Sequence, residues 1–174
     1  KTTLLNALTA MLPPDDRIVL IEDTAELRVA QPNLVRLEAR RAQPGVPAVT
    51  IRDLLRATLR HRPDRIIVGE VRGGEAYDLL QALNTGHAGT LSTIHANSAE
   101  QALARLTSCV LQGGVDLPYR AVRHQIGESN NIVLHLDRRH GRRAVTSVLR
   151  VKRYAPDQDS YQCEILGGAL DAGG

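Results

Sequence analysis

Phenylalanine and tryptophan are absent from this 174-residue chain, and its aromatic content is four tyrosines. A core without those rings must be filled by Leu, Val, Ile and Ala, and the composition argues against the aromatic stacking platforms that seat single-stranded nucleic acid. No apolar run reaches the roughly 18 residues of a membrane-spanning helix. The start carries no basic-then-apolar leader pattern. Cysteine is limited to Cys109, inside an expected helix, and Cys163, in an expected late strand. Two are too few for a disulfide framework, and both are expected as buried thiols. What remains, 43% hydrophobic and 24% charged, describes a soluble globular chain large enough for one domain with its own core, with the cytoplasm as default location.

Acid is also missing locally. From Arg138 to Arg153 there are seven Lys or Arg and no Asp or Glu, so against the total of +3 the rest of the chain carries a formal −4. The basic character belongs to one C-terminal ribbon. Such a ribbon suits anionic lipid or nucleic acid, and a solvated hairpin face explains it equally well.

Two segments that are present carry the chemistry. Arg65-Ile66-Ile67-Val68-Gly69 reads as a buried parallel strand that delivers Glu70 at its end, and Ile18-Val19-Leu20-Ile21 delivers Glu22 and Asp23, with Glu26 shortly after. Open α/β sheets place ligand chemistry at that edge of their strands. A short strand over Thr90 to His95, flanked by His87 and His95, adds two imidazoles. A purely structural role is also open to these residues: a turn cap for Glu22 and Asp23, and a hydrogen-bonded core histidine for His95. Zinc is not indicated, because no Cys or third His stands at ligand spacing.

Around these, the chain opens in helical stride, with Leu4, Leu5, Leu8, Met11 and Leu12 on one stripe, stopped by Pro13-Pro14. Val35, Leu37 and Ala39 alternate with Arg36, Glu38 and Arg40 as a half-exposed strand. Thr50 with Asp53 and Ser98 with Gln101 are helix starts. The helix after Thr50 carries Arg52, Arg56, Arg60 and Arg62 on the face expected for solvent or a subunit seam. Another helix is expected from Pro118 to about Ile126. Ile132–Leu136, Ala144–Lys152 and Tyr161–Ile165 then read as an antiparallel meander with turns at His140-Gly141 and Pro156-Asp157. The expected division is a nucleotide-binding core over about 1–128, a meander over about 129–166 and a frayed tail over 167–174.

Lys1-Thr2 fits the last two positions of G-x-x-x-x-G-K-[ST], a glycine loop whose backbone N–H groups cradle phosphates. Together with Ile21-Glu22-Asp23-Thr24-Ala25-Glu26, Arg62-Pro63-Asp64 through Gly69-Glu70-Val71-Arg72-Gly73, Asn84-Thr85-Gly86-His87 and Ser92-Thr93-Ile94-His95-Ala96-Asn97-Ser98, it closely resembles the secretion ATPases. These are the traffic ATPases of type II and type IV secretion, tight-adherence pili and conjugation. The resemblance runs from residue 1 to at least about 126 and is strongest to the tight-adherence and conjugation branch.

The resemblance implies an α/β fold: a RecA-like P-loop NTPase core with a mainly parallel sheet flanked by helices, plus the small antiparallel meander. It implies ATP and Mg²⁺ as cofactors. Lys1 matches the Walker A lysine on the β and γ phosphates, Thr2 the Mg²⁺-ligating hydroxyl, and Thr3 a position near the α phosphate. Glu22, Asp23 and Glu26 match the box whose acid handles the attacking water, with Glu22 favoured at the strand end. Glu70 matches the Walker B acid on Mg²⁺, and His87 and His95 bracket the box that senses the γ phosphate. Phosphoryl transfer commonly borrows an arginine from a neighbouring subunit, and Arg36, Arg40 and Arg72 are the candidates. The implied assembly is a homo-hexamer at the cytoplasmic face of the bacterial inner membrane, driving export or pilus assembly against platform or channel proteins. Peripheral membrane contact through 138–153 is a further expectation, and direct nucleic-acid contact is not expected. The loop glycines and a preceding domain are missing from the sequence, so turnover by this stretch alone is expected to be poor. The alternatives are a RecA-like nucleic-acid motor and a non-catalytic ring-assembly module.

Overall fold

The computed structural model describes residues 1–87, 89–129, 131–139 and 141–168. Four parallel strands form the main sheet in the order β2-β1-β3-β4: β1 (Ile18–Glu22), β2 (Leu34–Glu38), β3 (Arg65–Val71) and β4 (Leu91–Ile94). All three pairings are parallel, so every strand ends at the same edge.

The continuous apolar runs of β1 and β3 follow from having both faces covered. Ile18, Leu20 and Ile67 face α1 (Thr2–Thr9), packing with Leu5, Leu27 and Val29. Val19, Ile21, Ile66 and Val68 face the opposite side, against α2 (Ile51–Thr58), α3 (Glu75–Asn84), α4 (Ala99–Gln112) and α5 (Tyr119–Glu128). Thr50 and Asp53 form a reciprocal capping box at the start of α2, and the Ser98 hydroxyl accepts from Gln101 N–H at the start of α4. Such caps satisfy N–H groups that a helix start leaves without partners.

Three details depart from expectation. α1 ends at Thr9, so Met11 falls past the stripe and is 81% exposed. Arg52 and Arg56, though partly exposed, also have an internal role: both grip the nearly buried Asp78 of α3, at 2.6 and 2.9 Å, and Arg52 donates to the Gly113 carbonyl. Cys109 is buried but Cys163 is exposed, because β7 is the outer strand of its sheet.

The second sheet is antiparallel, in the order β5-β6-β7: β5 (Ile132–Arg139), β6 (Arg142–Ala155) and β7 (Ser160–Gly167). Gly167 pairs with Val148, so residue 167 belongs to the sheet rather than to the expected tail; residues 169–174 and His140 lie outside the described residues. α5 seats this sheet on the core. Arg123 of α5 lies among three of the four tyrosines, 4.6 Å over the Tyr161 ring, 4.9 Å over Tyr154 and 5.6 Å over Tyr119. Such cation–π contacts gain strength when desolvated.

The approach of α5 to β6 is close enough to require glycine. A Cβ on Gly127 would sit 2.6 Å from the Tyr154 backbone nitrogen. Gly127→Ala is therefore expected to lower unfolding stability by about 1–3 kcal/mol, read from urea denaturation of both proteins. Unchanged stability would mean that α5 does not ride this close to β6.

Candidate active site

Parallel strands whose faces are buried can expose charged groups only at their ends, and here the ends of β1, β3 and β4 bring Glu22, Glu70 and His95 to one edge of the sheet. The start of α1 meets them there. Lys1 Nζ donates to Glu70 Oε1 at 2.8 Å, and His95 Nε2 stands 2.8 Å from the same oxygen. Arg72 holds the other oxygen, Oε2, with Nε at 2.7 Å and Nη2 at 2.6 Å. Burial would raise the Glu70 pKa, but the hydrogen bonds from Lys1 and Arg72 and the positive charge of Lys1 win, holding it below its ordinary value.

The cleft enclosing these groups has a volume of about 450 Å³ and is also lined by Thr2, Asp23, Glu26 and Glu75. Glu22 is 5% exposed and already engaged: Oε1 accepts from the N–H groups of Glu26 and Leu27, at 2.9 and 2.8 Å. It thereby pins the loop after β1, and Arg36 pins it from the other side by donating to the Leu27 and Val29 carbonyls.

The expected residues divide accordingly. Lys1, Thr2, Glu22, Asp23, Glu26, Glu70, Arg72 and His95 share the cleft, while Thr3 and His87 do not line it. His87 Nδ1 is buried without a partner among the described residues. Of the three arginines considered for a neighbour's site, Arg72 serves Glu70 of its own chain and Arg36 the loop carbonyls. The Arg40 side chain is exposed and, among the described residues, donates only to the Pro47 carbonyl.

Comparison with known proteins decides the family. The model described as type II/IV secretion system protein matches residues 1–163. The chain belongs to that family. It is 49% identical over 151 residues to a putative conjugal transfer protein of Mycobacterium tuberculosis, covering 85% of this chain and 42% of the relative. It is 43% identical over 155 residues to the type IV secretion system protein PtlH of Bordetella pertussis, covering 87% and 46%. The chain spans less than half the length of these curated relatives. Among solved structures, the VirB11 ATPase of the Brucella suis type IV secretion system, in complex with sulphate, matches with TM-score 0.75 and 37% identity over 84% of this chain and 45% of that one. The pilus retraction motor PilT, with bound ADP, shares the fold at TM-score 0.53 and 21% identity, over 96% and 43%. The RecA-like arrangement implied by the sequence motifs is the fold of this chain.

In this secretion-family chain, three site features escape sequence reading. β3 and β4 slip register between Val68 and Val71, so two residues of β3, Gly69 and Glu70, oppose one of β4. Thr93 Oγ1 ties the irregularity to the Gly69 carbonyl at 2.7 Å, and such bulges re-aim the side chains they carry. Gly69 itself leaves room for Glu22, whose Cγ would lie 3.3 Å from an added Cβ. Glu75 accepts from the N–H groups of Arg72 and Gly73, fixing the turn that aims Arg72. The double glycine before an acid at a helix start was the available signal for Glu75; nothing in the periodicity marks the bulge.

The depressed Glu70 pKa gives a signed pH dependence. A carboxylate with a lowered folded pKa contributes stability in full above its unfolded value and loses it as pH falls through the folded one. The stability advantage over Glu70→Gln is expected to hold steady above about pH 5.5 and to shrink as pH falls below the ordinary value of 4.5. Thermal melts of both proteins across a pH series check this; an advantage that survives unchanged in strong acid would place the stabilising charge elsewhere.

Proposed function

We propose that this chain is the ATP-hydrolysing part of a secretion or conjugation motor that works as a hexameric ring at the cytoplasmic face of the bacterial inner membrane. One observation carries the reading: a lysine at a helix start, two strand-end carboxylates, an arginine and a histidine converge on a single cleft. That is the equipment of phosphoryl transfer, where positioning and charge neutralisation do most of the work. Membership of the family and the likeness to a VirB11 ATPase support it.

The donors fit the cofactors by their chemistry. Thr2 and Glu70 offer hard oxygens, and Mg²⁺ is ordinarily held by one or two carboxylates plus phosphate and water oxygens rather than by a protein cage. The helix start at Thr2, with its unpaired N–H groups and the neighbouring Lys1 ammonium, is suited to phosphate. Bound ATP would supply the activated phosphoryl group. The residues of the chain would orient it: Lys1 on the β and γ phosphates, Thr2 and Glu70 on the metal, and His95 reporting the γ phosphate through its contact with Glu70. Glu22 remains the proposed water-orienting acid through Oε2, while Oε1 holds the loop that presents Glu26, the alternative. Of the arginine candidates for a neighbouring subunit's site, Arg40 is the one whose guanidinium is least committed within its own chain.

A second feature supports a phosphate loop ahead of Lys1. β4 is an outer strand of its sheet, and beside it runs an apolar groove of about 450 Å³ bounded by Leu4 and Leu8 of α1, Leu106 of α4, and Ile132 and Leu134 of β5. In the longer protein, we assign this groove to a strand leading into the glycine loop.

The test compares Mg²⁺-dependent ATPase activity and thermal stability of this chain with those of the protein extended upstream through the loop and preceding domain. The extended protein is expected to melt higher and to turn over ATP as an oligomer, and Glu70→Gln to cost on the order of 10²–10³ in kcat. Between the acids, Glu22→Gln is expected to lower both turnover and Tm, and Glu26→Gln to leave Tm nearly unchanged. A ring that assembles and never hydrolyses ATP would replace the motor reading with a structural one.

A further inference from the structure

The register of the meander leaves one region electrostatically unfavourable by itself. β7 stops pairing at Gly167, opposite Val148. Beyond that point β5 and β6 continue as a two-stranded ribbon toward Gly141, whose φ of 77° is the left-handed conformation that suits a tight turn. At the far end, Arg138 stands opposite Arg143 and Arg139 opposite Arg142. Like charges directly opposite each other across a strand pair are destabilising. Two successive positions of a pleated strand belong to opposite faces, so neither face of the ribbon escapes.

The other three cations of the basic run have partners on β7. Arg150 and Lys152 pair with Glu164, at 3.5 and 2.5 Å, and Arg153 Nε donates to Gln162 at 2.8 Å. Arg138, Arg142 and Arg143 are exposed, and among the described residues none of them forms an ion pair with a carboxylate. Asp137, the nearest acid in sequence, accepts from the backbone N–H of Arg138, while the Arg138 side chain donates to the Gly141 carbonyl. Of the seven cations, three thus have partners on β7, where one carboxylate serves two of them, and the other four fall at the turn end of the β5–β6 ribbon.

We propose that this tip docks end-on into the anionic headgroup layer of a phospholipid leaflet. All four residues are arginines, whose planar guanidinium matches phosphate oxygens two at a time. Charge placed on both faces and at the end of a narrow ribbon is met fully only by anions that surround it, which a headgroup layer provides. A ribbon reading a DNA major groove instead lays one face along base edges. Behind the tip, the register positions are Asp137 with Ala144 and Leu136 with Val145, an acid and aliphatic residues rather than base-reading side chains. None of the tip residues lines the nucleotide cleft, so this docking stands independently of the ATPase reading.

The experiment is co-sedimentation of the whole chain with vesicles of phosphatidylcholine alone and of phosphatidylcholine mixed with an equal amount of phosphatidylglycerol, over a salt series. The chain is expected to pellet with the acidic vesicles at low salt, to be released as salt screens the charges, and to stay in solution with phosphatidylcholine alone. Each arginine near an acidic leaflet is worth roughly fivefold in partitioning, so R138Q/R142Q/R143Q is expected to lose roughly 100-fold. The pair R150Q/K152Q, whose charges share Glu164 within the sheet, is expected to lose no more than severalfold. Because removing opposed like charges relieves the ribbon, the triple variant is also expected to melt at or above the native temperature, which separates lost docking from lost folding. Undiminished pelleting of the folded triple variant, or equal pelleting with phosphatidylcholine alone, overturns the proposal. So does a short DNA duplex that strips the native chain from acidic vesicles through the same three arginines, an outcome that would assign the tip to nucleic acid.

Discussion

A carboxylate at the end of a buried parallel strand needs partners for its charge, and the arrangement of this molecule follows from how Glu70 obtains them. Three cationic or potentially cationic side chains reach it from three directions: Lys1 from the helix start, Arg72 from the turn after β3, and His95 from the end of β4. Each contact ties a different element to the sheet edge. The site is therefore also a junction of the fold, and the groups proposed to handle phosphate fix the mutual position of α1, β3 and β4.

The same logic separates two kinds of charge in this chain. Inside the core, charges are matched: Asp78 is held by Arg52 and Arg56, and Glu22 accepts two backbone N–H groups. Breaking such matched sets leaves a partly buried charge without compensation, which is costly because little water can reach it. At the cleft, matching is achieved with groups that are only partly buried and that a phosphate ligand could recruit. At the ribbon tip there is no matching among the described residues. The gradient from closed to exchangeable to uncompensated charge follows the path from core to site to surface.

Much of this was legible in the sequence, because burial leaves periodic traces. β1 and β3 announced themselves as continuous apolar runs, and Thr50 with Asp53 as a capping pair, since these depend on neighbours a few residues away. The residues of the cleft were legible for a different reason, being matched by motifs whose order along the chain restricts the fold. What escaped depends on encounters between distant segments. The register slip at Gly69-Glu70, the use of Arg36 as a brace and the clamp of Arg52 and Arg56 on Asp78 are set by how elements meet, and no periodicity encodes that. Met11 misled for the opposite reason: it continued a helical stripe past the residue where the helix ends.

The double duty proposed for Glu22 would keep site and scaffold from being assigned to separate residues here. Its Oε1 closes the loop over Glu26 and Leu27, its Cγ lies close against Gly69, where an added Cβ would stand 3.3 Å away, and the loop it closes is braced again by Arg36. A carboxylate so held cannot rotate freely, which is what orienting a water molecule requires. In the proposed role, restraint and chemistry are one property. The loop fixes the acid as much as the acid fixes the loop, so a substitution that releases either also releases the other, and loss of turnover and loss of stability at this position share a cause.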